Sequence, residues 1–420
     1  MSKPLPHFDA IIIGGGLAGA SLAVGLARRG RRVAVVETVS RQANHRPSHD
    51  DRTLALNQAS LNILGNLGLL PASLTLNPIR RIVISRAGGF GHLDLSCDEF
   101  ALERFGAVAV ARELGNVMLT ALAGTDGITE FCPDRLLSQT IEADRVRVRL
   151  ESGQIITAPL LIGADGTHSM VRQAAGIDSW QRDYGQHAMI FNVRPQRCPP
   201  ATAYERFTPE GPLALLPQPA GRLGVVWIDS AEAIEAAKTW SDNHLLDRLQ
   251  ARFGPGLGQF ADPGRRASYP LALHRTPWPI AERVVIIGNA ANTVHPVSAQ
   301  GFNLGLRDVA ALIDCIGTAE DPGAVETLNA YAHQRQDDQE QTVSYTDTLA
   351  RAFTNPLPPA RLASGLGLAL HAASPALRRR LVQAAMGFRE PVSELARDSS
   401  GHKAGANQPG GQAPERQAAR

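Results

Sequence analysis

Ala10-Ile11-Ile12-Ile13-Gly14-Gly15-Gly16-Leu17-Ala18-Gly19 reads as a strand, a tight turn and the start of a helix. The apolar run Ala10 to Ile13 suits a parallel strand buried on both faces. Gly14 permits the turn, Gly16 lets the backbone approach a pyrophosphate, and Gly19 lets the following helix pack on the strand. That helix is predicted over Ala18 to Arg29, with Leu22, Val24, Leu26 and Ala27 facing the core and Gly30 as the stop. Its first turn, with Leu17 and Ala18, aims unpaired N–H groups at phosphates. A second strand, Arg32 to Val36, ends in Glu37, 18 positions after Gly19, near the spacing of a ribose-hydroxyl acceptor. A carboxylate there repels a 2′-phosphate, which disfavours NADP and leaves FAD and NAD. The competing reading is a structural turn, and the flanking strands, helix and acidic residue argue against it.

Two later segments repeat the strand–turn–helix logic. One is Leu160 to Arg172, containing Asp165 and Gly166. The other runs from Val284-Val285-Ile286-Ile287-Gly288-Asn289 through His295-Pro296 to Gln300-Gly301-Phe302-Asn303 and Asp308. The chain leaves a dinucleotide and returns to it about 270 residues later, which resembles the wiring of FAD-dependent hydroxylases and implies FAD. These segments resemble the Asp-Gly and Gly-Asp motifs of class A FAD-dependent monooxygenases. The resemblance implies that Asp165 and Gly166 contact the flavin region and help NAD(P)H dock. A polar cap on an ordinary turn is the alternative for Asp165. It also implies that the Gly288 turn holds the ribitol. Here Asn289 stands where most members have Asp, which keeps hydrogen-bonding capacity and removes one negative charge. Asn292 replaces a frequent His, and Ala299 a frequent Gly. Pro296 to Gly301 should wrap the isoalloxazine, with Phe302 beside it. A helix beginning near Asn303 would aim its positive end at the flavin. His295 in that loop reads as a loop-fixing residue before a catalytic one.

Asp51-Arg52-Thr53-Leu54-Ala55-Leu56, Glu205-Arg206-Phe207-Thr208, Gly211 to Pro217 and Ser268 to Leu271 extend the likeness to the ubiquinone-biosynthesis hydroxylases, over roughly residues 8 to 390. That resemblance implies a para-hydroxybenzoate-hydroxylase-like α/β fold: a Rossmann-like FAD-binding domain, an inserted, mostly antiparallel substrate domain and C-terminal helices. It implies FAD as cofactor, NAD(P)H as electron donor, and O₂ and a prenylated phenol as substrates. By position it places Arg52 near the flavin and the NAD(P)H approach, and Arg112 along the pyrophosphate–ribitol stretch. No catalytic side chain is assigned, because the cofactor carries the chemistry and the protein supplies a dry pocket.

The charge of +2 and the 5% aromatic content do not suit nucleic acid. Cys97, Cys132, Cys198 and Cys315 are scattered, which reads as free thiols in a reducing compartment. The twelve histidines form no metal-ligand pattern, so no metal is expected. The sequence shows no leader and no apolar run of about 18 residues, and reads as a cytoplasmic protein.

The flavin domain is predicted from pieces 1–80, 105–178 and 277–345, with the substrate domain at 81–104 and 179–276. Ile82 to Leu95 and Ala188 to Ile228 alternate like strands. Ser241 to Phe253 reads as a helix capped by Ser241. Residues 346–390 form a C-terminal helical region, and helices over 325–390 are split in two by Pro356, Pro358 and Pro359. Leu362 to Met386 reads first as a packed hairpin. Second, with Arg378, Arg379 and Arg380, it reads as a surface for the membrane or for other ubiquinone-biosynthesis proteins. From 391 the composition predicts a disordered tail.

Overall fold

A computed structural model of the chain describes residues 7–43, 52–88, 91–354, 358–389 and 391–397. Its first layer is a six-stranded sheet in the order Ile280–Ala281, Val284–Ile286, Leu161–Gly163, Ala10–Ile13, Val33–Val36, Ile128–Phe131. All are parallel except the edge strand Ile280–Ala281. Ile11 lies opposite Leu161, and Leu161 opposite Val284. The three motif-bearing segments are therefore neighbours in space, and their turns open at one end of the sheet.

The first helix, Leu17–Arg28, is not striped as expected. Every residue from Gly19 to Leu26 is buried. The helix lies between the sheet and two further helices, Ala111–Gly124 and Gln300–Ile316, so no face of it meets water. The Gln300–Ile316 helix is buried along most of its length for the same reason. Two three-stranded sheets, Leu136–Ile141/Val146–Leu150/Ile155–Ala158 and Thr53–Asn57/Gly106–Val110/Asn77–Ile79, complete this part and were not foreseen.

The second layer is a nine-stranded sheet, antiparallel except where Thr202–Phe207 runs parallel to Arg81–Arg86. It contains both stretches expected as strands. The long strand Trp180–Pro195 pairs with Arg222–Ser230 on one side and Ala267–Arg275 on the other. The helix Asp242–Phe253 forms as expected, with the Ser241 hydroxyl accepting from the His244 N–H.

Three C-terminal helices replace the expected two: Val325–Thr354, Pro358–Ala373 and Pro375–Ala385. The additional break falls at Ser374-Pro375, where Ser374 caps the last helix and Pro375 takes its first position. Pro356 lies outside the described residues. Val382 and Met386 pack with Leu93 and Leu95 of the second sheet. Arg378 donates to the Asp94 carbonyl and pairs with Glu99, whereas Arg379 and Arg380 are exposed. The packed reading of this segment therefore describes it, and the basic triplet does not act as one patch.

The expected disorder from residue 391 is corrected as far as Arg397. Asn62 donates to the Ala396 carbonyl, and Asn66 donates to those of Leu395 and Arg397. Ala396 is buried, and Val392 and Leu395 pack against the main core. Few apolar residues suffice because the side-chain amides of another helix take up the backbone carbonyls. Residues 398–420 of the expected tail lie outside the described residues.

Candidate functional site

A cleft of about 840 Å³ runs between the glycine turns of the first sheet and one face of the second. Gly14, Gly16, Leu17, Ala18, Glu37, Arg52, Asp165, Gly166, Gly288, Asn289, Pro296, Gly301 and Phe302 all line it. Gly19, Arg112 and Asn303 do not.

Gly14 has φ +103, and a Cβ there would sit 2.4 Å from the Ala164 carbonyl oxygen. The turn thus excludes any side chain at Gly14. At Gly16 a Cβ would meet nothing within 4 Å, so the backbone there faces open cleft. A Cβ at Gly19 would lie 2.0 Å from the Gly14 carbonyl oxygen, so Gly19 serves helix–strand packing. A bare backbone at a helix N-terminus beside open space is what a pyrophosphate requires, and these residues fit a dinucleotide. Glu37 accepts from the Gly15 N–H at 2.8 Å and, through its other oxygen, from the Val39 N–H at 2.8 Å. The first oxygen has no other recorded donor and keeps a lone pair for a ribose hydroxyl, whereas the second also accepts from the Thr38 hydroxyl at 3.4 Å.

Asp165 accepts from the N–H groups of Met170 and Val171 at 2.7 and 3.3 Å, capping the helix Met170–Ala174. The capping alternative is therefore realised. Its second oxygen is buried with no partner among the described residues, and it lies where the cleft begins. Arg172, quoted in the motif without a role, is buried. It donates to the carbonyls of Ala290 at 2.7 Å and Thr167 at 2.9 Å, clamping the Asp165 and Gly288 turns together.

Asn289 projects an exposed side chain into the cleft. Ser298 and Ala299 both adopt left-handed backbone, with φ of 62 and 50, where the loop turns into the Gln300–Ile316 helix. Such strain costs of order 1–3 kcal/mol per residue and concentrates at ligand sites. The helix begins at Gln300 rather than near Asn303. The Asn303 side chain is buried and engaged by protein: its amide donates to the carbonyls of Ala55 and Ala299, and its oxygen accepts from the Asn57 N–H. The Asn303 side chain thus staples the loop to the strand Thr53–Asn57. Arg112 is exposed in the first turn of its helix, outside the cleft lining.

His295 is the loop-fixing residue expected. Its Nδ1 accepts from the Val297 N–H at 3.2 Å, so the imidazole is neutral, and burial lowers its pKa to about 4. The Tyr184 ring packs edge-on 5.0 Å away, and its hydroxyl donates to Asp347 at 3.0 Å. Burial raises that phenol well above its usual range.

Behind the Gly288 turn lies a buried ionic group that periodicity did not reveal. Asp308 accepts from Arg335 and Gln339, each at 2.9 Å, and its other oxygen faces the Gly288 N–H at 3.4 Å. Arg307 pairs with Asp338 at 2.6 Å, and Arg335 lies 2.7 Å from the same carboxylate. The partners stand about 30 residues apart on two packed helices, so only their packing brings them together. Arg52 extends over the Tyr269 ring, 5.4 Å from its centre, where the cleft passes from the glycine turns to the second sheet.

Residues 7–346 match the family model described as an FAD binding domain. The chain is 34% identical to the ubiquinone hydroxylase UbiL of Rhodospirillum rubrum, over 90% of this chain and 89% of that one. It is 31% identical to the 3-demethoxyubiquinol 3-hydroxylase of Escherichia coli, over 90% and 98% respectively. Among solved structures, the p-nitrophenol 4-monooxygenase PnpA of Pseudomonas putida superposes with a TM-score of 0.75 at 16% identity, covering 92% of this chain and 100% of that one. The Klebsiella pneumoniae HpxO complex with FAD and uric acid gives 0.69 at 18% identity, covering 91% and 96%. At these identities the solved structures report on the fold alone. All four cysteines are free thiols. No helix among the described residues is long and apolar enough to cross a membrane.

Proposed function

We propose a function that proceeds from one established fact: the chain belongs to the FAD-binding-domain family. With its relatives, that membership makes it an FAD-dependent enzyme of the aromatic-hydroxylase type, in the ubiquinone-hydroxylase group. The finer reading is that it hydroxylates the ring of a polyprenylated phenol in ubiquinone biosynthesis, with 2-octaprenyl-6-methoxyphenol as the substrate and NAD(P)H as the donor.

One observation carries this reading. A single cleft joins the bare glycine cradle to an apolar sheet face built from Ala188, Ile190, Ala214, Leu216, Val226 and Ile228. In it, Gly14, Gly16 and the first helix N-terminus would hold the pyrophosphate, Glu37 the ribose, and Asn289 the ribitol. When bound, FAD supplies the redox chemistry that takes electrons from NAD(P)H and an oxygen atom from O₂. The sheet face keeps water from the ring and buries the first part of a prenyl tail. The rest of the tail needs a membrane or a partner protein. Leu366 and Leu370, one helical turn apart, are exposed on the C-terminal helices and would be apolar contacts for it.

The test is anaerobic reduction by NADH and by NADPH, followed by oxygen uptake with a short-tailed 2-methoxy-6-prenylphenol and mass analysis of the product. Reduction without product would favour a flavin reductase. Quinone extraction from a deletion strain names the ring position, because the precursor before the blocked step accumulates.

A further inference from the structure

The sheet wall of the cleft contains one residue that does not belong in an apolar surface. Glu205 lies on the strand Thr202–Phe207, opposite Ala214 on one side and Ile84 on the other. The same cross-strand row continues through Val226 and Ile190. Glu205, Ala214, Val226 and Ile190 all face the cleft. Its carboxyl makes no hydrogen bond or ion pair with another described residue. Glu205 is half-buried, and a carboxylate that loses part of its hydration without a partner lowers stability and adds nothing to packing. Its natural partner is therefore a donor on the ligand that enters the cleft.

No neighbouring donor among the described residues is hydrogen-bonded to it. Arg81, on the neighbouring strand, is paired with Asp94. Arg206, the next residue along, donates to the Arg252 carbonyl and the Ser85 hydroxyl. The other titratable groups of the cleft near this wall are Tyr204, Tyr269 and Arg52. Tyr345 of the long helix senses the Glu205 charge, but its hydroxyl is hydrogen-bonded to Ser298.

We propose that Glu205 is the general base of ring hydroxylation, accepting the proton of the substrate's phenolic hydroxyl. The proposal rests on the phenol-hydroxylase reading above. As ring π electrons form the new C–O bond to one atom of O₂ reduced by the two electrons of NAD(P)H, the O–O bond breaks, its electron pair stays on the other oxygen, which takes up protons and leaves as water, and the phenolic O–H bond breaks. Its proton goes to a Glu205 oxygen, and its electron pair becomes the carbonyl π bond of a neutral dienone. On rearomatisation the ring C–H proton leaves to solvent, and Glu205 returns its proton to the oxygen. Without a base the attacked ring would carry a full positive charge in an apolar pocket. Burial also raises the Glu205 carboxyl to about 7, close to the working pH of a general base.

The experiment uses the FAD-loaded enzyme with three probes: 2-methoxy-6-prenylphenol, its O-methyl ether, and a ring-fluorinated phenol of greater acidity. Glu205→Gln should keep FAD and bind the phenol but hydroxylate it about 10²–10⁴-fold more slowly. The fluorinated phenol should recover at least tenfold of that loss, because it needs a base less. The wild-type rate should fall as pH drops through about 7, and the Glu205→Gln rate should not. Without turnover, the oxidised wild type should bind the phenol about tenfold or more tighter than the ether, and Glu205→Leu should abolish that preference. Equal hydroxylation rates for wild type and Glu205→Gln would overturn the proposal and leave the function standing. So would a Glu205→Gln deficit unchanged by fluorination. A wild type that hydroxylates neither phenol would overturn both.

Discussion

Asp338 bears more charge contacts than any other residue of the ionic group behind the Gly288 turn. It accepts from Arg307 at 2.6 and 3.2 Å and from the Thr342 hydroxyl at 3.2 Å, with Arg335 at 2.7 Å and Arg389 at 3.3 Å. Asp338→Asn leaves Arg307 and Arg335 with Asp308 as their one remaining carboxylate, and both are buried. Breaking a buried pair in this way costs about 3–5 kcal/mol. An unfolding entropy of about 2.1 cal/mol/K per residue over some 400 residues is roughly 0.8 kcal/mol/K, which gives a Tm loss of about 4–6 °C. The pH dependence has a definite sign. Burial alone would raise the Asp338 carboxyl, but Arg307 and Arg335 override it and hold it well below the usual range. Its stabilisation is therefore complete above the ordinary carboxylate pKa of about 3.9 and is lost only below it. The gap between wild type and Asp338→Asn should be constant through neutral pH and close only in acid. Arg307→Met combined with Asp338→Leu keeps the Arg335–Asp308 pair and should recover most of the loss. Differential scanning calorimetry on the FAD-loaded proteins measures all three. An unchanged Tm for Asp338→Asn would refute the reasoning, because it would mean that the charges are solvated or the group is not buried.

Gly16→Val should fold normally yet lose bound flavin, whereas Gly19→Ala should lower stability itself, since only Gly19 lacks room for a Cβ within the protein; flavin absorbance and melting curves separate the two. Asn289→Asp should retain FAD better than Asn289→Leu, which leaves a ribitol hydroxyl unpaired at about 1–3 kcal/mol; equal affinities on titration would show that the side chain points elsewhere. Deletion from residue 391 should lower Tm by several degrees, because Asn62 and Asn66 lose their acceptors and Leu395 and Ala396 leave the core; an unchanged melt would show that this docking contributes nothing. Glu205 has a raised pKa, so the native state holds a proton between pH 4.5 and about 7 that the unfolded chain has released, and wild-type stability falls across that window. Glu205→Gln should therefore become more stable than wild type as pH rises from 4.5 to about 7, by up to about 3 kcal/mol, and keep that margin above it; chemical denaturation at several pH values checks this.

The sequence by itself determined the glycine cradle. Turn geometry is local: Gly14 needs its positive φ and Gly19 its missing Cβ whatever the rest of the chain does. The strand Ala10–Ile13, the Ser241 cap and the alternating Arg222–Ser230 strand were legible for the same reason. Family likeness extended that reading to the distant Gly288 turn. What tertiary structure alone decided lies where partners are far apart in sequence. The first helix lost its expected stripe because three layers pack around it, and Asn303 became a staple because strand Thr53–Asn57 runs beside it. The Arg307–Asp338 group, the Arg172 clamp and the docking of Leu395 and Ala396 depend on helices and turns meeting in space. Glu205 was visible in a motif but silent there. A carboxylate acquires its chemistry from desolvation and from the absence of a neighbour, and neither is a property of adjacent residues.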